Sequence, residues 1–295
     1  MSSDSNVAVL GSYRRTQSGS ETGQPIRTIA VTGGKGGVGK SVVCANLAVA
    51  LAQQSRRVLL FDSDLGCANA DILLGIEPRR TLRDVLRHDI ELADAVAIGP
   101  AGVALIPGST GFSEMANLSA EIQTGIISGF STLQKSYDTL CVDTGPGISD
   151  NVTRVAAATQ HVIVVVCDEP TSLTDAYAII KVLHEEKGID RFQVVTNMVR
   201  AGEATAAYDK LRRVADRFLS VVLYHAGSIP YDDRISQAVR ARTPVQTAFP
   251  RSLAAIALRN LAQRAAEWPT DTSTQGNLQF FAESLMHPPS DGGSA

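Results

Sequence analysis

Two lysines within one glycine-rich run are the residues whose types and spacing point most directly to chemistry. The run from residue 33 to residue 41 reads GGKGGVGKS, and it fits the GxxxxGK[ST] pattern of a phosphate-binding loop through Gly34, Gly39, Lys40 and Ser41. In this pattern backbone N–H groups surround phosphate oxygens, the lysine reaches the β- and γ-phosphates, and the hydroxyl binds Mg²⁺. The sequence therefore predicts a nucleotide site, and Lys35 brings a second positive charge close to the phosphates.

Acidic residues stand at the ends of two other apolar runs. Asp62 and Asp64 follow the run at residues 58–61, and Asp143 ends the run at residues 139–143. Two carboxylates at positions i and i+2 after a strand can point to the same side, and carboxylate oxygens are ligands that Mg²⁺ accepts. Phosphoryl transfer depends on positioning and charge neutralisation more than on a strong base. We therefore expect these three carboxylates around the metal and the γ-phosphate.

These residues must be positioned by short β-branched runs that alternate with helical patterns. The strand candidates are hydrophobic throughout, which is typical of a parallel sheet covered by helices on both faces. We expect a doubly wound α/β fold with a mostly parallel sheet, whose ligands bind beyond the carboxyl ends of the strands. The predicted strands are 28–31, 58–61, 103–106, 139–143, 162–167, 192–196 and 221–224. The main predicted helices are 41–54, 120–135, 172–186, 204–218, 252–267 and 277–286.

Composition places the chain among ordinary globular proteins. Of its 295 residues 44% are hydrophobic and 19% are charged, and the formal net charge of -3 by itself suggests neither a nucleic acid nor an anionic membrane as a partner. Residues 187–264 carry 13 Lys and Arg against 6 Asp and Glu, so a basic face there stays open beside ordinary solvated helix faces. The cysteines form no CxxC pair, and we expect buried thiols in a reducing cytosol at Cys44, Cys67, Cys141 and Cys167.

Changes in composition divide the chain. Residues 1–25 are polar, predict a mobile tail and contain no signal peptide. The α/β domain is expected to span residues 26–268, and residues 269–276 read as a linker. A short amphipathic helix is predicted at residues 277–287, and a polar tail at residues 288–295.

The last predicted helix is a candidate interaction surface, because its apolar residues fall on one face: Leu278, Phe281, Leu285 and Met286. The segment contains no Lys or Arg, so it lacks the electrostatic attraction to anionic lipid that a basic amphipathic helix has. We therefore expect it to dock onto its own domain, with membrane contact or a partner's groove as the alternatives.

The second lysine makes the loop resemble the deviant Walker A group of P-loop ATPases, which includes MinD and ParA. In that family a lysine at the position of Lys35 reaches across a dimer interface to the partner's nucleotide. The resemblance covers residues 26 to about 268 and implies an ATP-dependent homodimer that binds ATP and Mg²⁺ and hydrolyses ATP slowly. It implies catalytic roles for Lys35, Lys40 and Asp64, the last orienting the attacking water. It implies metal-site roles for Ser41, Asp62 and Asp143.

The same resemblance implies a nucleotide-binding set made of Gly34, Lys35, Gly36, Gly37, Val38, Gly39, Lys40, Ser41, Val42, Asn197, Pro230 and Asp232. Asn197 follows a predicted strand, and its side-chain amide can match N6 and N7 of adenine, although many such residues only cap turns. No NKxD signature of guanine binding occurs, so ATP is favoured over GTP. Pro146 stands where relatives often have Ala, and it leaves open which amide of that loop senses the γ-phosphate.

A narrower similarity lies in the stretch CDEPTSLTDAY at residues 167–177 and in the last predicted helix, which resemble the FleN (FlhG) family of flagellar-number regulators. This resemblance implies an antiactivator of the flagellar master transcription activator, an AAA+ enhancer-binding protein, and work beside the polar flagellar GTPase FlhF. It implies a cytoplasmic protein that is recruited to the cell pole. From the residues alone, Thr171 or Ser172 caps the following helix, with partner or dimer contact as the alternative. The competing function is a ParA-type partitioning or positioning ATPase acting on DNA or a membrane surface.

Overall fold

Eight strands of mostly β-branched and aliphatic residues form one sheet within the part of the chain that the computed structural model describes. That part comprises residues 26–64, 66, 68–87, 89–108, 120–270 and 278–286. The predicted tails, Cys67 and most of the predicted linker lie outside it. The strands are β1 (Arg27–Thr32), β2 (Val58–Asp62), β3 (Ala97–Ile98), β4 (Ala104–Ile106), β5 (Thr139–Asp143), β6 (His161–Val166), β7 (Arg191–Val199) and β8 (Val222–Pro230).

The sheet order is β3-β4-β2-β5-β1-β6-β7-β8. Every neighbouring pair is parallel except β3 and β4, which pair antiparallel at one edge. After β1 the chain adds strands on one side, and from β6 onwards it adds them on the other, so β1 lies at the topological switch point. In doubly wound sheets the ligand binds beside that point. The predicted fold class is confirmed.

Helices cover both faces of the sheet. They are α1 (Lys40–Ala52), α2 (Ala70–Leu74), α3 (Leu82–Leu86), α4 (Ala120–Gln134), α5 (Asp150–Ala157), α6 (Pro170–Lys187), α7 (Ala206–Phe218), α8 (Asp233–Arg240), α9 (Val245–Ala248), α10 (Leu253–Glu267) and α11 (Leu278–Met286). One face packs against α1 and α10, and the other against α4 and α11 together with α5, α6 and α7. Successive residues of the central strands alternate between these cores, as in β2, where Leu60 faces the first and Phe61 the second.

Some elements differ from the sequence predictions. The antiparallel β3 and the short helices α2, α3, α5, α8 and α9 were not predicted, and several are too short to show a periodic pattern. The strand predicted at residues 192–196 continues through Asn197 to Val199 as β7. Met198 adopts a positive φ of 56° there, beside an irregularity in the pairing with β8.

The apolar face of α11 lies in the protein's own core. Leu278, Phe281, Ala282 and Leu285 are each at most 2% exposed. The ring of Phe281 meets Phe61 and Phe130 edge-to-face at centroid distances of 6.0 and 5.7 Å. The predicted docking of this helix onto its own domain is confirmed, and the side chain of Met286 lies outside the described part. None of the helices in the described ranges has the length and apolar character needed to cross a membrane.

Candidate nucleotide-binding site

The glycine-rich loop connects the carboxyl end of β1 to the first turn of α1. Gly39 has a φ of 91°, a left-handed conformation that glycine adopts without strain, and it stands at the N-cap of α1. No side chain caps this helix, so the N–H groups of its first turn are left for a ligand. A Cβ on Gly39 would lie 2.4 Å from Nδ2 of Asn197, and a Cβ on Gly34 would lie 2.0 Å from the carbonyl oxygen of Asp175. The loop therefore needs glycine for its conformation and for its contacts.

The two lysines of the loop have different surroundings. Lys40 is buried, and its ammonium donates a hydrogen bond to the carbonyl oxygen of Lys35 at 3.0 Å. Burial lowers the pKa of Lys40, while the carboxylates of Asp143 and Asp64 act in the opposite direction. Lys35 is half-exposed, and its own ammonium donates to Thr171 Oγ1 at 3.0 Å and to Glu169 Oε2 at 3.3 Å. Within one chain, Lys35 thus folds back onto α6 instead of projecting outwards.

The strand-end carboxylates meet beside Lys40. Asp62 and Asp143 are paired residues of the neighbouring strands β2 and β5. Both are 1% exposed, and Asp64 is 9% exposed. Burial raises the pKa of Asp143 well above its usual range, and the Asp62 carboxylate raises it further; the Ser41 hydroxyl and the Lys40 ammonium lower it.

The carboxylate of Asp62 accepts three hydrogen bonds from its own loop. Oδ1 accepts from the backbone N–H of Asp64 at 3.1 Å, and Oδ2 accepts from those of Asn69 and Ala70 at 2.9 and 3.0 Å. Burial nevertheless raises the pKa of Asp62 to about 6, against the effect of these donors. Through these three hydrogen bonds, Asp62 holds the loop after β2.

Asp143 has the opposite character. In the described part of the chain neither of its carboxylate oxygens accepts a hydrogen bond of normal geometry. A buried carboxylate in this condition is costly unless a cation compensates it. This arrangement fits Mg²⁺ held by the Ser41 hydroxyl, with Asp143 acting through a water. No three His, Cys, Asp or Glu side chains converge on one point among the described residues, so phosphate and water oxygens would complete the set, as Mg²⁺ prefers.

Backbone links join the three loops of the site. The Ser63 N–H and hydroxyl both donate to the carbonyl of Asp143, at 2.9 and 2.7 Å. The Gly147 N–H donates to the carbonyl of Gly33 at 3.4 Å. A Cβ on Gly145 would lie 3.3 Å from Oδ1 of Asp64. A change in one loop therefore displaces its neighbours.

The residues predicted to lie beside the base make hydrogen bonds within the protein. The Nδ2 of Asn197 donates to the carbonyl of Val38 at 2.8 Å, which ties β7 to the phosphate loop. Asp232 caps two helices, because its carboxylate accepts from the N–H of Arg234 at 2.9 Å and from that of Ala254 at 3.2 Å. A cavity of about 850 Å³ opens beside this loop between Tyr231 and the start of α10.

Two contacts of Lys35 were not predicted from the sequence. The Lys35 partners Glu169 and Thr171 lie more than 130 residues away along the chain, and the unusual DEPTS run was their only signal. The predicted cap of α6 is wrong. Its N-cap position is Glu169, without a side-chain cap, and the Ser172 hydroxyl accepts from the N–H of Cys167 at 3.0 Å instead.

Comparison with known proteins decides the family. A model of the CobQ/CobB/MinD/ParA nucleotide-binding domain (CbiA) matches residues 29–245. The chain belongs to this family. The predicted resemblance to MinD/ParA proteins is therefore confirmed, and the loop at residues 33–41 lies within the matched range.

Individual members of the family give the comparison more detail. The chain is 47% identical to antiactivator FleN of Pseudomonas aeruginosa, over 91% of this chain and 96% of that one. It is 33% identical to flagellum site-determining protein YlxH of Helicobacter pylori, over 76% of each. Among solved structures, septum site-determining MinD of Pyrococcus horikoshii, complexed with Mg-ADP, superposes with a TM-score of 0.65 at 27% identity, covering 82% of this chain and 96% of that one.

Proposed function

We propose that this protein is an ATP-dependent dimerising switch ATPase that regulates flagellar number, acting as an antiactivator of the flagellar master transcription activator. The observation that carries the chemistry is a phosphate loop with two lysines, one buried beside Asp143 and one half-exposed. The choice of pathway is supported by the near full-length similarity to FleN and by the similarity to YlxH.

In the proposed mechanism ATP lies along the loop and the first turn of α1. The Lys40 ammonium exchanges the Lys35 carbonyl for the β- and γ-phosphates, and the glycine N–H groups surround the phosphate oxygens. Ser41 and Asp143 would hold Mg²⁺, which would supply neutralisation of the phosphate charge. Asp64 orients the attacking water, and Asp62 fixes the loop that carries Asp64.

The adenine is proposed to lie between Asn197 and the loop that contains Pro230. The second hydrogen of the Asn197 amide and its Oδ1 are the atoms that would face the base. Because the Asp232 carboxylate caps two helices, its proposed contribution to base binding is to set the backbone path of this loop.

The oligomeric state with three nucleotides tests the switch. Light scattering with ADP, ATP and a non-hydrolysable ATP analogue is expected to show a dimer with the triphosphates only. Asp64→Ala is expected to bind ATP normally, to hydrolyse it about 100-fold more slowly, and to stay dimeric longer. One oligomeric state with all three nucleotides would contradict the switch, and normal hydrolysis by Asp64→Ala would contradict its role.

Binding to the activator tests the regulatory half of the proposal. The ATP-loaded Asp64→Ala protein is expected to bind the purified flagellar master activator and to inhibit its ATPase, whereas Lys35→Gln, the matched variant unable to bridge two subunits, is not. Equal binding by the two variants would show that dimerisation does not control the activator.

FlhF is the proposed second partner. A fluorescent fusion of this protein is expected in the cytoplasm with a focus at the cell pole.

Direct DNA binding is not part of the proposal. Several basic residues of the region 187–264 are engaged in ion pairs, including Lys187 with Asp150 and Lys210 with Asp168. An ATP-dependent shift of non-specific DNA that falls steeply with salt would instead favour the ParA-type alternative.

A further inference from the structure

Lys35 is held at both ends within its own chain. Its ammonium donates to Glu169 and Thr171 at the start of α6, and its carbonyl oxygen accepts from the Lys40 ammonium. Lys35, Glu169 and Thr171 are named here the Lys35 clasp. These are the same side chain and the same loop that the proposed function needs for a second subunit.

The surroundings of the clasp fix the phosphate loop and the start of α6 relative to each other. Gly34 lies so close to the carbonyl of Asp175 on α6 that no Cβ fits between them. The hydroxyl of Ser172, one residue beyond Thr171, accepts a hydrogen bond from the N–H of Cys167 at the end of β6. Neighbouring Asp168 is engaged elsewhere, accepting from Lys210 at 2.6 and 2.9 Å. The clasp therefore joins two segments whose backbones are already fixed.

The clasp is weak enough to open. The side chains of Lys35 and Glu169 are 39% and 62% exposed, and exposed ion pairs contribute little net stability. The ammonium also lies at the N-terminal end of α6, where the helix dipole disfavours a cation. On the outer side of the loop, Cβ atoms placed on Gly36 and Gly37 would meet nothing within 4 Å, so space for an approaching subunit adjoins the clasp.

Lys40 links the clasp to the nucleotide. Its ammonium has three N–H donors, and one of them donates to the Lys35 carbonyl. The β- and γ-phosphates compete for the same ammonium, and we expect an ammonium turned towards them to give up that bond. A triphosphate that draws Lys40 away therefore removes one of the two constraints on Lys35 and leaves only the exposed contacts with Glu169 and Thr171.

We propose that Glu169 and Thr171 are positioning residues that retain Lys35 within its own subunit and so oppose dimerisation until ATP engages Lys40. This inference rests on the proposed function, in which Lys35 acts across a dimer. Each dimer opens two clasps, so the effect of losing one contact is counted twice. Removing the charge of Glu169 therefore lowers the protein concentration at half-dimerisation with ATP about three- to tenfold.

Glu169→Gln in the full-length chain is the main test, measured by sedimentation velocity across a protein titration with a non-hydrolysable ATP analogue. Asp168→Asn is the matched control, because it removes the same charge from the adjacent position without touching Lys35. Thr171→Val is expected to act in the same direction as Glu169→Gln, and Thr171→Ser, which keeps the hydroxyl, is expected to behave as wild type. Raising the salt concentration is expected to narrow the gap between Glu169→Gln and wild type.

Three results would overturn the proposal. They are equal dimerisation of Glu169→Gln and wild type, weaker dimerisation of Glu169→Gln, and an equal gain in Asp168→Asn. A separate measurement on the nucleotide-free chain distinguishes the clasp from the switch. In protein with ¹³C-labelled, unmodified lysines, the ¹³Cε resonance of Lys35, assigned with Lys35→Arg, is expected to shift in Glu169→Gln and not in Asp168→Asn. If that shift appears while no variant dimerises with ATP, the clasp stands and the proposed function fails; if it does not appear, the clasp itself is refuted.

Discussion

Phe61 and Asp62 are consecutive residues of β2, yet they belong to regions with opposite physical requirements. Phe61 faces the core under α11, where its ring lies 5.9 and 6.0 Å from those of Phe130 and Phe281. Asp62 faces the carboxyl edge of the sheet, where it accepts three backbone hydrogen bonds. The α11 region is thus satisfied by apolar contacts within one chain.

The edge of the sheet contains polar groups that the chain leaves unpaired. Six buried side-chain atoms of the described residues have no hydrogen-bond partner, and four of these belong to Thr32, Asn69 and Asp143, around the nucleotide loop. Native structures keep such groups rare. The contrast teaches that the first region stabilises the protein, whereas the second is destabilised so that a ligand can complete it.

The largest expected effect breaks the apolar side of this comparison. Phe281→Ala removes a fully buried ring, and we expect it to lower the free energy of unfolding by about 3–5 kcal/mol. Phe218→Ala is the matched control, since that ring is 62% exposed, and it is expected to change stability by less than about 0.5 kcal/mol. Urea denaturation measures both, and equal effects would show that α11 does not dock in solution.

The next effect concerns binding at the polar edge. Lys40→Gln removes a charge-assisted contact with the phosphates, and we expect ATP affinity to fall about 10- to 100-fold. Lys35→Gln serves as control, because its ammonium is held away from the loop, and its affinity for ATP below the dimerisation concentration is expected to change by less than about twofold. Isothermal titration calorimetry measures both affinities. Similar losses of ATP affinity in both variants would contradict the different roles expected for the two lysines.

A smaller effect has the unusual sign that the comparison demands. Without nucleotide and Mg²⁺, Asp143→Asn is expected to raise the free energy of unfolding by about 1–3 kcal/mol, because it removes a carboxylate whose burial outweighs the opposing effects of Ser41 and Lys40. Burial raises the pKa of Asp143, so the wild-type stability that this group contributes at low pH is lost as the pH rises. The gain should therefore be larger at pH 8 than at pH 5, while ATP hydrolysis is lost. A destabilised variant at pH 8 would contradict the account.

The smallest effect sharpens the role of Asp232, just beyond the carboxyl end of β8. Asp232→Ala removes the cap of α8 and the acceptor of a backbone N–H on α10. We expect a loss of about 1–2 kcal/mol in stability with little change in ATP affinity. Ser252→Ala, which loses only the cap of α10, is expected to cost about 1 kcal/mol. A tenfold loss of ATP affinity in Asp232→Ala alone would show that its carboxylate contacts the nucleotide.

The parts of the site that sequence could predict are those whose neighbours along the chain are also their neighbours in space. The phosphate loop is one strand, one turn and one helix, so its pattern contained the geometry. Asp62, Asp64 and Asp143 followed from strand ends, because parallel strands place those ends along one edge.

The parts that sequence could not predict depend on distant pairs. Nothing near Lys35 specifies Glu169, and nothing near Asp232 specifies the start of α10. The role of Asp62 as a holder of its own loop depends on N–H groups whose direction is fixed only by the folded turn. Helices of five residues, such as α2 and α3, bury too few side chains to leave a repeating signal.

The position of α11 changes how the end of this chain should be regarded. A protein shortened before Leu278 would expose the ring of Phe61, and the strand that bears it would lose rigidity one residue before the carboxylate that anchors the loop of Asp64. Trimming the terminus would therefore also disturb the loop that carries Asp64, from the opposite side of the sheet.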